Sequence, residues 1–394
     1  MGIFNSTQKS YLGIDLGAVS TKVVELGNEK GRPRLVTYGF VEEAVDLARN
    51  DSPEAKEKII AFLKEICKKA GVKTNKAIAA LPTFSVFSSI VSLPRVAKKD
   101  LPSTIRWEAK KVIPMPLEEM ILDWKILPET EPVSNLPADR QAGPVVERVI
   151  KTKNGSQYLK VLLTGAPKNL VKKFMEVFNG AGLQLISLET ESFALVRSLV
   201  GEDKSTIMII DLGGATTNLS VIDKGVPVLN RSLEIGGSTI TRAIADGLNI
   251  NLVRAEQFKR DMGISLGSRG QNDVPQTIEA SVAPIINEIK YCFGLYQNQA
   301  LRPFDSQFSR NGDNASPAGS SEALFNGRIE KIILTGGSAL LPNLADYLSK
   351  LLDIKVYLGD PWARIIYPIE LRPILEEIGS RFSVALGLAM RDIE

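Results

Sequence analysis

The sequence predicts an α/β protein of two lobes, built by internal duplication around a shared cleft. Ile207–Gly225, IMIIDLGGATTNLSVIDKG, reads as a buried strand ending in Asp211, a turn of small residues, and a second apolar strand from Leu219 to Ile222. Tyr11–Gly27, YLGIDLGAVSTKVVELG, repeats that pattern with Asp15 at the strand end and a turn through Ser20. One Gly-rich hairpin is an ordinary turn, but two about half a chain apart point to a duplicated fold with a site shared between its halves. Glycine pairs at Gly236-Gly237 and Gly336-Gly337 add a third observation, since each follows an apolar strand and precedes a helix.

The remaining elements fit two α/β halves. After the first hairpin, Arg34–Glu42 continues as a strand. Pro53–Ala70 is a helix whose Ile59, Ile60, Leu63, Ile66 and Cys67 recur at helical spacing, closed by Gly71. Lys76–Leu81 is a buried strand ended by Pro82. Thr83–Val161 changes character: a strand over Phe84–Leu93, a helix over Lys99–Val112, a strand over Met120–Leu127, a Pro- and Gly-rich loop over 128–156 and a strand at Tyr158–Thr164. That is a small α+β unit inserted into the first half. Lys168–Gly182 is a helix and Leu183–Leu188 a strand, and Glu189–Ser192 caps a helix over Phe193–Val200. In the second half, helices fall at Ile240–Leu248, Asn251–Asp261 and Gln276–Gln299, with Pro284 tolerable only near an end or at a kink. The polar stretch 302–328 reads as a mobile loop. Ile329–Gly337 gives another buried strand, followed by a helix from Asn343, a short strand at Lys355–Tyr357 and an apolar last helix, Ser380–Met390. The expected boundaries are 1–82 with 166–205, 83–165, 206–235 with 329–394, and 236–328.

Composition narrows the chemistry. The 394 residues contain no histidine, which removes Ser–His triads, His-ligated zinc and histidine acid–base catalysis together. Two cysteines far apart in sequence fit reduced thiols. A net charge of +3 without a basic, aromatic-interleaved tract argues against nucleic acid. No apolar run reaches spanning length, and the last helix lacks the basic amphipathic pattern of a membrane tail, so the expectation is a cytoplasmic protein with peripheral membrane contact at most.

A carboxylate at a strand end, followed by residues too small to block a close ligand, suits a polyphosphate with a divalent cation. Asp15 and Asp211 are the candidate metal and catalytic carboxylates. The turns Gly17-Ala18-Val19-Ser20 and Gly213-Gly214-Ala215-Thr216-Thr217 would cradle phosphates, with Lys22 as a cation beside them. Gly236-Gly237 before a helix reads as a further anion site made of free N–H groups and the helix dipole. Glu256 and Lys259, three apart on one helix face, make at least an ion pair.

Asp15–Lys22, Asp211–Thr217, Gly236-Gly237 and Gly336-Gly337-Ser338, in that order, resemble the superfamily of actin, the heat-shock chaperones and FtsA. The resemblance implies a duplicated, actin-like (ribonuclease-H-like) two-lobed ATPase fold that binds ATP with Mg²⁺. By that likeness the glycine turn Gly336-Gly337-Ser338-Ala339 cradles adenosine, Glu256 and Lys259 contact adenine and ribose, and Glu189 stands near the γ-phosphate to orient water. The inserted segment, LPTFSVFSSIVSLPRV and LPSTIRWEAKKVIPMPLEEMILDWKIL, is FtsA-like in position (subdomain 1C) and resembles the type IV pilus assembly family PilM, as do the ending ALGLAMR and the Asp360-Pro361-Trp362 turn. That likeness implies a cytoplasmic adaptor at the inner membrane. It would bind the cytoplasmic N-terminal peptide of a PilN-like bitopic membrane protein near Phe84, Val86, Trp107 and Glu108, and link it to the pilus motor ATPase. It is compatible with self-association and with at most slow ATP turnover, since no strong general base is evident. The competing readings are an FtsA-like division filament and a small-molecule kinase of the same superfold.

Overall fold

The computed structural model describes residues 9–42, 46–127, 158–265, 273–301 and 327–393. The expected loops at 128–156 and 302–328 lie, but for the last two residues of the second, outside them. The chain forms two compact units. One takes Met1–Val86, Asn169–Phe293 and Ile329–Glu394, and the other Phe87–Lys168 with Gly294–Arg328.

The larger unit begins with β1 (Ser10–Leu16), β2 (Thr21–Glu29) and β3 (Arg32–Val41), an antiparallel meander. Helix α1 (Pro53–Ala70) follows. The Ser52 hydroxyl accepts from the Ala55 N–H at 3.1 Å, and Gly71 ends the helix at φ 67° with its N–H on the carbonyls of Cys67 and Lys68. That left-handed cap costs glycine little and any other residue more. β4 (Lys76–Leu81) then pairs parallel with β1. A 3₁₀ turn over Thr83–Ser85 holds Phe84, so the strand expected from Phe84 starts at Phe87; Pro82 and the Ser85 N–H and hydroxyl on its carbonyl enforce the turn.

The smaller unit contributes β5 (Phe87–Pro94), α2 (Leu101–Val112), β6 (Met120–Ile126) and β7 (Tyr158–Pro167). Its sheet runs β5-β7-β6, antiparallel throughout. Leu101, Ile105 and Ala109 of α2 pack on Val91, Leu93, Val161 and Leu163, giving the unit its own core.

Back in the larger unit come α3 (Lys168–Gly180), β8 (Gln184–Thr190) and α4 (Glu191–Leu195), which passes into one π turn over Val196–Val200. β8 runs two residues beyond the strand read from the sequence. The second half follows as β9 (Ile207–Leu212), β10 (Thr217–Asp223), β11 (Val226–Leu233), α5 (Gly237–Leu248), α6 (Leu252–Met262) and α7 (Asp273–Leu301), which carries Pro284 in its interior rather than near an end. Next are β12 (Lys331–Thr335), α8 (Leu344–Leu352), β13 (Lys355–Leu358), α9 (Arg372–Ile378) and α10 (Ser383–Met390). The first sheet is ordered β3-β2-β1-β4-β8 and the second β11-β10-β9-β12-β13, with the same sense at every pairing. The two halves match strand for strand.

A shared core joins the halves. Ile78 and Ala80 of β4, Ala194 and Leu195 of α4, Ile207 and Ile209 of β9, and Val384 and Leu388 of α10 form one buried cluster. Every residue of α10 is buried. Leu386, Leu388 and Met390 are fully so, each stabilising by about 1.5–3 kcal/mol. The approach is close: a Cβ on Gly13 would meet the Ala385 carbonyl oxygen at 2.0 Å, and one on Gly387 the Ala194 carbonyl oxygen at 1.9 Å.

Candidate functional site

The duplicated hairpins place the site. In the first, Leu16 pairs Thr21 and Asp15 pairs Lys22; in the second, Leu212 pairs Thr217 and Asp211 pairs Asn218. Each leaves four residues in the turn. The turns meet, because a Cβ on Gly214 would fall 2.7 Å from the Val19 side chain. Between them opens a cleft of about 490 Å³, within the range of small-molecule and cofactor sites.

The cleft brings together Asp15, Gly17, Ala18, Val19, Ser20 and Lys22 from the first hairpin with Asp211, Gly213, Gly214, Ala215 and Thr216 from the second. Gly237, Glu256, Lys259, Gly336, Gly337 and Ser338 line its other end. Three expected residues stand behind the surface rather than on it. Thr217 bonds the Ile235 carbonyl at 2.7 Å, Ala339 is buried, and a Cβ on Gly236 would meet the Gly214 carbonyl oxygen at 2.6 Å.

The hydrogen bonds alter two expectations. The N–H groups at the start of α5 are not free for an anion: Gly237 donates to the Gly213 carbonyl at 3.0 Å and Ser238 to that of Gly214 at 2.8 Å. They clamp the turn of the second hairpin instead. The Lys259 ammonium is likewise spent, on the Gly237 carbonyl at 3.2 Å, the Thr241 hydroxyl at 2.9 Å and Glu256 at 2.6 Å. Three bonds exhaust its donors. Burial lowers the Lys259 pKa against the pull of Glu256. Burial works against the Glu256 carboxylate too, but bonds from Lys259, Thr241 and Arg260 hold it down at about 2. The pair pins α6 to α5.

Glu189 is the clearest correction. It lies within β8, opposite Ala80, and its carboxylate pairs with Arg197 and, at 2.6 Å, with Arg391. It is not among the residues lining the cleft. Glu191, at the first position of α4, is. Its Oε2 accepts the Thr83 N–H at 3.1 Å, the Thr83 hydroxyl at 2.6 Å and the Asn218 amide at 2.9 Å. Burial and the charge of Asp211 push the Glu191 carboxyl up to about 8. Burial and Asp15 push Asp211 up to about 6. Asp15 forms an ion pair with Lys22 at 3.0 Å. A carboxylate at the junction of strand and helix is the signal that would have singled out Glu191. Arg381, Glu42 and Ser380 also line the cleft and carry no sequence motif.

The partner-site expectations divide between the units. Phe84, in the larger unit, is 44% exposed with the Arg49 guanidinium 4.5 Å from its ring centre. Trp107, in the smaller, is 62% exposed beneath the Lys111 ammonium, which also pairs with Glu108 at 2.7 Å. Val86 lies half-buried just after the 3₁₀ turn.

Comparison with known proteins agrees with the fold. A family model described as type IV pilus assembly protein PilM matches residues 13–139, and one described as cell division protein FtsA matches residues 208–387. A solved PilM–PilN type IV pilus biogenesis complex superposes with a TM-score of 0.73 at 24% identity, over 98% of both chains. The chain has an actin-like fold, similar to PilM in its first part and to FtsA in its second. Among curated relatives, FtsA of Enterococcus faecalis is 23% identical over 89% of this chain and 78% of its own length. MreB of Pasteurella multocida is 26% identical over 46% of this chain and 54% of its own length. The actin-like MreB5 of Spiroplasma citri, solved with AMPPNP, superposes with a TM-score of 0.50 at 14% identity, over 96% of this chain and 94% of its own. Among the described residues, no helix is long and apolar enough to cross a membrane.

Proposed function

We propose that the chain is an ATP-binding adaptor of type IV pilus assembly. It holds ATP in the inter-hairpin cleft and engages the cytoplasmic peptide of a PilN-like membrane protein. The observation that carries the nucleotide half is the convergence of two register-matched hairpin turns on one cleft, with Asp15, Asp211 and Glu191 at its base. That MreB5 has been solved with AMPPNP on the same fold supports it.

The donor set suits a divalent cation held through its waters. Three carboxylates line one cleft with Lys22 paired to Asp15, and burial together with neighbouring carboxylate charge raises the pKa values of Glu191 and Asp211. Among the described residues, no three acidic, cysteine or histidine side chains stand close enough to hold a metal directly. Mg²⁺, when bound, neutralises phosphate oxygens. Lys22 would stand beside the same charge, the turn amides would hold phosphate oxygens, and Glu191 is the group placed to orient a water. A Glu191 that keeps its proton near neutral pH is a poor acceptor, which fits slow turnover or none. Asp211→Ala should abolish Mg-ATP binding by calorimetry while leaving the fold intact; unchanged affinity would discard the nucleotide assignment.

The partner half rests on the smaller unit. The PilM model spans the described part of that unit from β5 to β6. Among the described residues β5 is an edge strand, with backbone groups open to an extended peptide. A titration with the N-terminal peptide of a PilN-like protein should saturate. No binding, together with capture of a different membrane protein, would end the pilus reading. The FtsA match over the second half favours one alternative, a division filament, which predicts polymers that pellet on adding ATP.

A further inference from the structure

We infer that the outward face of α2 is a docking surface for a membrane bilayer rich in anionic lipid. The proposal concerns the smaller unit alone and stands whether or not the cleft binds nucleotide.

The face is defined by the helix's own geometry. Leu101, Ile105 and Ala109 point into the core of the unit. Trp107 lies about 200° around the helix from both Ile105 and Ala109, at the crown of the solvent side. An indole at that place adds nothing to the core. It is 62% exposed and is flanked by Arg106, Lys110 and Lys111, all exposed. Lys98 and Lys99, in the segment leading into the helix, are exposed as well.

Charge is concentrated here. Residues 98–112 hold five basic side chains (Lys98, Lys99, Arg106, Lys110, Lys111) and two acidic ones (Asp100, Glu108), a net of +3, which equals the net of the whole chain. Lys111 is engaged, by Glu108 at 2.7 Å and by the Trp107 ring, its ammonium 3.4 Å from the centre. The other four cations have no acidic partner within salt-bridge distance among the described residues.

A single exposed tryptophan needs no explanation. A tryptophan ringed by unpaired cations does, and the shape decides among occupants. A peptide or small anion is held in a groove, where side chains converge. The crown of a helix is convex, and its charges spread over about one and a half helical turns and the segment before the helix. A bilayer suits that shape: the indole, apolar in body with a polar N–H, sits among headgroups while lysines and arginines meet lipid phosphates.

The test uses the full chain and sedimentation with vesicles, at low salt, of phosphatidylcholine alone or with a third phosphatidylglycerol. Binding is expected to the anionic vesicles and not the neutral ones. Raising salt should release the protein, because exposed charges are screened. Arg106→Gln with Lys110→Gln should weaken vesicle affinity by roughly fivefold for each cation removed. Trp107→Ala should weaken it by at least about fivefold. Both variants should melt with the wild type, since the changed side chains are exposed. Equal pelleting with the two vesicle types, none with either, or variants that bind as wild type would overturn the proposal. So would variants that lose a protein partner while keeping vesicle affinity.

Discussion

At Glu191 three hydrogen bonds converge on one carboxylate oxygen, yet the group resists ionisation. Burial and the nearby charge of Asp211 push its pKa up to about 8, against a usual 4.5. A carboxyl raised on folding holds its proton better in the native state, so the native state binds more protons across that interval. Its contribution to stability is therefore full below about pH 4.5 and is lost as pH rises towards 8. Glu191→Gln should leave the melting temperature unchanged at pH 4 to 5 and raise it above wild type at pH 8. A difference that does not grow across thermal melts in that window would show that Glu191 ionises freely. Gly336 offers a second test. Its φ is +87°, and a Cβ there would lie 2.4 Å from the Asp211 Oδ1. Gly336→Ala should cost about 1–3 kcal/mol in backbone strain alone and displace Asp211, which a denaturant titration with parallel calorimetry would read. At this scale the sequence told much. The two aspartates, Lys22 and the glycine turns were legible because strand, carboxylate and small-residue turn are contiguous. Glu191 was not, because its place depends on where β8 stops, and a two-residue extension of that strand exchanges the roles of Glu189 and Glu191.

Among the elements, α1, α5 and α6 were legible from caps and periodicity. The 3₁₀ turn at Phe84, helix α9 and the length of β8 were not, being too short for a period or set by neighbours. What holds the elements around the cleft is buried polar pinning and close backbone approach. Lys259 ties the carbonyl of Gly237 to Glu256 and Thr241, and Gly237 in turn clamps the second hairpin. Lys259→Met removes the cation and takes one hydrogen bond from each of those acceptors, at a cost of about 1–3 kcal/mol. Affinity for nucleotide should fall although Lys259 has no donor to spare for a ligand; a variant that binds ATP as wild type would show that the pin is dispensable. Gly387→Ala is the more severe change, because α10 has no room to retreat from Ala194 without opening the core it shares with both sheets. It should fail to fold or melt far below wild type in a thermal scan.

For the whole molecule, the duplicated fold was readable from one repeated motif, whereas the cleft's second wall, with Arg381, Glu42 and Ser380, emerges only when distant segments meet. A ligand that binds the native state alone stabilises it by about 3–4 kcal/mol at a hundred- to thousandfold excess over its dissociation constant. Mg-ATP should therefore raise the melting temperature in a dose-dependent way, and Asp211→Ala should abolish the rise. The register match between the hairpins has one further consequence. Two like cradles related by duplication would accept a linear polyanion either way round. Beside the turns the likeness fails in charge: Asp15 faces a lysine and Asp211 an asparagine. That difference gives the cleft a head and a tail, so under the proposed function a chain of phosphates would lie in it in a single direction.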